Sequence, residues 1–172
     1  MAIQVNSITN ANIYVNGGNY VGRAKEIQIP EVAFKQVDHE ALGMVGMTEL
    51  WAGIEKMEAT IMWNSVYSDV QTVFSNPNAA IQMQARANMR VTASTGLVDE
   101  VPVVIDMTAT PKNMSGFNFN QQENIELETK LNVTYIQLKI DGVVISEVDI
   151  LANVFKVGGV DLLAKYRANT GA

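Results

Sequence analysis

The chain has 172 residues, a hydrophobic fraction of 48%, a charged fraction of 17% and a formal net charge of −6. That is length for one domain with a genuine core, taken as residues 1–172, and the acidic balance excludes an electrostatic nucleic-acid binder, which needs a basic surface. The absence of cysteine excludes disulfides and thiolate metal sites. No apolar run is long enough for a membrane helix or a signal peptide, so the chain is expected to stay soluble in the cytoplasm.

In chain order, Asn12 to Asn16 reads as a short strand closed by the turn Asn16-Gly17-Gly18-Asn19, whose residues tolerate positive φ. Tyr20 to Ile29 resumes a strand until Pro30, which offers no N–H to a ladder. Glu31 to Leu42 is extended again. Gly43-Met44-Val45-Gly46-Met47 then forms an apolar loop between two strands, a composition that points to packing against a partner.

Thr48 to Trp63 is a long strand whose apolar set is even at first (Leu50, Ala52, Ile54) and odd later (Met57, Ala59, Ile61, Trp63). The phase change near Glu55-Lys56 predicts a bulge or a passage between two buried environments. Asn64 or Ser65 is the expected cap of a helix of about three turns, with Val66, Val70, Val73 and Phe74 on one face and Asn76-Pro77-Asn78 as its stop.

The stretch from Ala79 to Thr95 alternates without a break. Its odd positions from Ala79 to Ala93 are all apolar; on its even side Gln82, Gln84, Arg86, Asn88, Arg90, Thr92 and Ser94 are polar. At about 3.3 Å per residue it would span roughly 56 Å, far beyond a common strand of about 17–20 Å. A turn at Thr95-Gly96 leads to its partner, Val98 to Thr110, with Val101, Val103, Ile105 and Met107 inward.

Pro111 to Gln122 reads as a loop or short edge strand carrying Phe117 and Phe119. Ile125 to Ile140 is a third long strand that changes face after Tyr135, and Asp141-Gly142 turns it into Val143 to Ile150. A short strand (Val154 to Val157), a Gly158-Gly159 turn and a short helix (Asp161 to Ala168) complete the chain. The expected fold is mainly β, a β-sandwich or partial barrel with one inserted helix. Strands that change face midway suit either a two-sheet sandwich or a subunit lending hairpins to a shared barrel.

Catalytic chemistry has little to stand on. The single histidine, His39, lies between Asp38 and Glu40, which point to the opposite side of a strand. No nucleophile elbow accompanies it, so it reads as a surface or interface residue. Glu126 and Glu128 share a strand face near Glu123 and could hold a cation, but an acidic solvated face is the commoner meaning of that pattern. Gly43-Met44-Val45-Gly46 lacks the lysine and following helix of a phosphate loop. Met83 and Met89 read as core or interface filler, and no cofactor is expected.

Charge is distributed unevenly. Residues 97–128 hold Asp99, Glu100, Asp106, Glu123, Glu126 and Glu128 against Lys112; residues 31–58 hold Glu31, Asp38, Glu40, Glu49, Glu55 and Glu58 against Lys35 and Lys56. Ordinary solubility charge accounts for this, as does a wall that repels phosphate within a Debye length of about 8 Å.

The C-terminal block Tyr135-Ile136-Gln137-Leu138-Lys139-Ile140-Asp141-Gly142, then Glu147-Val148-Asp149 and Val157-Gly158-Gly159-Val160-Asp161-Leu162-Leu163, resembles the tail tube proteins of contractile phages and of R-type bacteriocin particles. Ile13-Tyr14-Val15-Asn16-Gly17, the strand ending Ile29-Pro30, and Gly43-Met44 before a strand with Gly53 and Glu55 extend the resemblance. Where that family has a basic residue and paired glycines before the loop methionine, this chain has Leu42-Gly43-Met44.

The resemblance implies a non-enzymatic structural subunit. Six copies would form a ring, each giving about four long strands to a continuous inner β-barrel, and rings would stack into a tube inside a contractile sheath. Its partners would be further copies of itself, the sheath, baseplate and terminator proteins, with DNA passing through unbound in a phage. Its place would be a virion or phage-tail-like particle assembled in the bacterial cytoplasm. On this reading Gly43, Met44, Val45, Gly46 and Met47 contact a neighbouring ring. Glu49, Glu55, Glu58, Asp106, Glu126 and Glu128 face the lumen, while Arg86 and Arg90, on a strand face without acids, look outward to the sheath. The alternatives are a type VI secretion tube, a glycan-binding β-sandwich using Phe117 and Phe119 as its platform and, more distantly, an enzyme with an acidic site.

Overall fold

A computed structural model describes residues 3–171. The strands are β1 (Gln4–Val15), β2 (Gly18–Asn19), β3 (Ala24–Gln28), β4 (Phe34–His39), β5 (Thr48–Ile54) and β6 (Met57–Trp63) before helix α1 (Ser68–Phe74). After it come β7 (Ile81–Ala93), β8 (Gly96–Pro111), β9 (Leu127–Ile140), β10 (Val143–Asp149), β11 (Val154–Val157), β12 (Val160–Asp161) and α2 (Ala164–Thr170). The protein is mainly β.

Ten strands make one sheet in the order β12-β11-β10-β9-β8-β7-β1-β2, with β6 beside the first half of β9, on the edge that carries β10, and β3 on β6. Strands β4 and β5 form a separate two-stranded hairpin. Residues from β1, β6, β7, β8, β9, β10 and α1 all enter one buried cluster, so the large sheet curves around a single core.

Both expected changes of strand face have a physical cause. The stretch Thr48 to Trp63 breaks at Glu55-Lys56, and its two halves join different sheets: β5 pairs with β4, β6 with β3 and β9. In β6 the odd residues Met57, Ala59, Ile61 and Trp63 are buried. In β9 the change is a bulge: Val133 lies opposite Ala109 and Tyr135 opposite Thr108, leaving Thr134 with no residue opposite it on β8, though its hydroxyl donates to the Thr108 carbonyl at 3.4 Å. The Thr134 carbonyl accepts the Ile150 N–H at 3.0 Å. One edge of β9 serves β6 over its first half and β10 over its second.

The bounds of three elements need correction, and one open alternative is decided. Strand β1 begins at Gln4 rather than Asn12; residues 4–11 are exposed on both faces, so no buried side imposed an alternating pattern there. Helix α1 has seven residues, starts at Ser68 and lacks a side-chain cap. Asn64 is engaged elsewhere, donating to the Gly22 carbonyl at 2.8 Å and accepting the Tyr67 hydroxyl at 2.6 Å; the chain bends at Asn64-Ser65 and Tyr67 is still extended just before the helix. The segment Pro111 to Gln122, open between loop and short edge strand, is a loop beyond Pro111, tied down by Ser115 Oγ on the Glu128 carbonyl (2.8 Å). Helix α2 begins three residues late because Asp161 pairs with Lys156 across β11–β12 and accepts the Leu163 N–H.

The two hairpin turns read from Asn16-Gly17 and Asp141-Gly142 are present, all four residues at positive φ between 47° and 80°. Helix α1 is fastened by its buried face, Val70 and Phe74, and by Arg23. The Arg23 guanidinium lies 5.2 Å and 5.1 Å from the ring centres of Tyr20 and Tyr67 and pairs with Asp69.

Candidate functional site

The longest strands, β7, β8, β9 and β1, are neighbours in the sheet. Alternation turns the odd residues of β7 to the core and its even residues away from it. Register then sets the company of that polar face: Gln84 lies opposite Asp106, Arg86 opposite Val104 and Arg90 opposite Glu100. Residues directly opposite share a face. Asp106, expected on one wall, and Arg86 and Arg90, expected on another, are therefore on the same side of one sheet. The sequence reading treated β7 alone and missed the acids that its partner strand contributes.

These charges are matched locally. Asp106 accepts hydrogen bonds from Lys139 Nζ (2.9 Å) and Gln84 Nε2 (2.5 Å). Arg86 donates to Gln84 and lies 5.2 Å over the Tyr14 ring, and Arg90 Nε is 3.2 Å from Glu100 Oε1. Beside them, the Tyr135 hydroxyl has its pKa pushed up by partial burial, then by Glu147, Asp106 and Asp149.

The remaining candidate acids do not gather with Asp106. Glu58 on β6 is gripped by Lys112 (2.6 Å) and Lys56 (2.8 Å), whose hydrogen bonds lower its pKa to about 2. Glu126 precedes β9 and pairs with Lys25 at 2.6 Å; Glu128 is 3.6 Å from Lys130. Glu55 lies in the break between β5 and β6, and Glu49 sits on the β4–β5 hairpin directly opposite Asp38.

Residues 43–47 occupy the tip of that hairpin. Leu42 and Val45 are exposed at 106% and 108%, with Met44 and Met47 beside them also open. His39 faces Thr48 at the last rung before the tip, exposed and far from any nucleophile arrangement. Phe117 and Phe119 stack at 6.2 Å with 7° between their planes, in an exposed loop. Among the described residues no group of three or more His, Cys, Asp or Glu is placed to hold a metal.

Sequence reasoning missed the part of the polar face that comes from β1 and β9: Tyr14, Gln137 and Lys139. Tyr14 and Gln84 are in direct register, as are Asp106 and Gln137. The alternation of Tyr135, Gln137 and Lys139 after the Thr134 bulge was the available signal.

A second property unites the same strands. β1, β7 and β8 continue past the core, so that residues 4–11 of β1 and 96–100 of β8 are exposed throughout. Together with an uncovered apolar hairpin tip, this defines a β-rich protein with long exposed strand edges and an open apolar loop. The chain belongs to the phage tail tube protein FII family, whose match covers residues 5–171. It is 25% identical over 166 residues to the tail tube protein of Escherichia phage P2, covering 93% of this chain and 94% of that one.

Its fold is similar to chains in two solved structures of an extracellular contractile injection system: the PVC sheath-tube complex and the PVC sheath/tube terminator, both in the extended state. Each has a TM-score of 0.52 at 9% identity over 75% of this chain, covering 87% of the first chain and 92% of the second.

Proposed function

We propose that six copies of this chain close into a ring, and that rings stack into the inner tube of a contractile particle, a conduit driven through the target envelope when the sheath shortens. The observation that carries this reading is the overhang of β1 and β8 beyond the core, on either side of β7. A monomer gains nothing from strands exposed on both faces and along an edge, whereas a barrel closed between subunits pairs them.

Strands β9-β8-β7-β1 are the four that each copy supplies, and their polar face lines the channel because the opposite face packs on the core. Asp106, Arg86 and Arg90 all belong to that lining. Glu58 and Glu126 lie off these four strands, Glu128 lies beyond the end of β8, and Glu49 and Glu55 belong to the hairpin and its base. The lining sets Lys139 against Asp106 and Arg90 against Glu100, which leaves little uncompensated positive charge for a phosphate backbone to adhere to. Further copies, a sheath protein, a terminator and a baseplate are the partners, and assembly takes place in the bacterial cytoplasm. Residues 43–47 face the neighbouring ring.

Negative-stain electron microscopy of the purified chain, alone and with its neighbouring tail proteins, tests the proposal. Rings or tubes with a central channel are expected. A monomer under every condition and concentration overturns it.

A further inference from the structure

The β4–β5 hairpin has an uncovered apolar tip and, at its base, an uncovered apolar groove. The groove, about 280 Å³, lies between β5, the β10–β11 connection and α2, and its apolar walls are Trp51, Ile54, Ile150, Val154, Leu163 and Tyr166. Trp51 and Tyr166 are half exposed there. Phe34, at the hairpin base, packs on Phe155 of β11 with ring centres 5.8 Å apart, which fixes the hairpin against that wall.

The tip does not reach this groove in its own chain. Thr48, Glu49 and Leu50 separate the tip from Trp51, the first wall residue of the groove, a span of about 13 Å along a stiff antiparallel pair. A tip and a groove on different parts of one surface meet only between copies, and such a contact is head-to-tail, leaving a free tip and a free groove at each end for the next copy.

Charge favours the same pairing. Asp38 and Glu49 lie directly opposite each other below the tip, a like-charge rung that is unfavourable in an isolated hairpin. Neither they nor Glu40 has an ion-pair partner among the described residues. Lys165, next to Tyr166 in α2, and Lys35, cross-strand from Gly53 of the groove, are likewise unpaired among the described residues. Asp149 also lines the groove, its Oδ1 held by the Leu151 and Ala152 N–H groups at 3.0 Å each, so the acidic collar behind the tip is complemented by the two lysines at the groove's rim and not by its floor.

We infer that the Leu42–Met47 tip of one copy seats in the Trp51–Tyr166 groove of a copy in the adjacent ring, so that one hairpin carries both halves of the axial contact. This rests on the tube reading above and names the surface on which residues 43–47 land.

The absence of cysteine makes a clean test possible. In the full-length chain carrying Val45→Cys and Tyr166→Cys together, mild oxidation of assembled tubes is expected to give a ladder of covalent multimers that runs beyond six subunits on non-reducing gels, whereas a ladder ending at six places the contact within a ring and overturns the inference. Either substitution alone gives no ladder. Tubes that form but yield no ladder from the double variant overturn the contact and leave the tube intact. An unsubstituted chain that never forms rings or tubes overturns the tube reading and this contact with it. Val45→Asp, at a fully exposed position, is expected to keep the folded ring, checked by circular dichroism, and to shift the population from stacked tubes to single rings by about tenfold or more, since a buried unpaired carboxylate costs more than 1.4 kcal/mol. Stacking unchanged by Val45→Asp also overturns the contact.

Discussion

The Trp63 indole N–H donates to the Thr129 hydroxyl at 3.0 Å in the middle of the core, joining β6 to β9 where both are fully buried. Tyr20 and Phe74 pack against the same indole, with ring centres 5.9 Å and 5.6 Å away. Thr129→Val keeps the shape of the site and leaves the indole N–H unpaired, so it is expected to destabilise the fold by about 1–3 kcal/mol. Trp63→Phe removes both the donor and part of the packing. Adding Thr129→Val to Trp63→Phe should then cost less than it does in the parent chain, because no donor remains to be orphaned. Urea unfolding followed by far-UV circular dichroism measures all three variants, and strictly additive losses would show that the hydrogen bond contributes nothing.

That bond also marks how far the sequence could be read. The odd residues of β6 advertise a buried face, and Asp141-Gly142 advertises its turn, because each depends only on neighbours within one strand or hairpin. Thr129 gave no such signal: a polar residue at an inward position has meaning only once β6 and β9 are known to pair with Ile61 opposite Thr129 and Trp63 opposite Leu127, which sets the indole diagonal to the hydroxyl. The grouping of Asp106 with Arg86 failed for the same reason, since it depends on the register between β7 and β8. The start of β1 at Gln4 was hidden differently. A strand paired on one edge and exposed on both faces has no periodic hydrophobicity to betray it.

Glu58 yields a pH prediction. Hydrogen bonds from Lys112 and Lys56 lower its pKa from an ordinary 4.5 to about 2, so the folded state holds this carboxylate ionised where the unfolded chain would already be protonated. Its contribution is therefore fully present above about pH 4.5, shrinks as pH falls, and is gone near pH 2. Glu58→Gln should lower the denaturation midpoint at neutral pH, slightly because the pair is solvent-exposed, and the gap to the parent chain should close between pH 4.5 and 2. High salt should narrow it at neutral pH as well. A gap that stays constant down to pH 2 would assign the effect to packing instead of charge.

The channel lining can be tested against the earlier expectation, in which Glu126 faced the lumen and Arg86 faced the sheath. Arg86 lies on the non-core side of the β7–β8 ladder, whereas Glu126 precedes β9 and is paired with Lys25 from the neighbourhood of β3. Because the chain contains no cysteine, one can be placed at either position and labelled in assembled tubes. A small maleimide enters a channel from its ends and through transient openings; a bulky polymer-linked maleimide does not reach the middle of a long tube. Arg86→Cys should accordingly react with the small reagent and be protected from the large one, while Glu126→Cys reacts with both. In dissociated subunits both variants should take both labels, which separates protection by the tube from protection by the fold. The opposite pattern in the tubes, with Glu126→Cys protected and Arg86→Cys open, would mean that the sheet packs with its other edge and face toward the axis, and would return the lysine-paired acids Glu58, Glu126 and Glu128 to the channel wall.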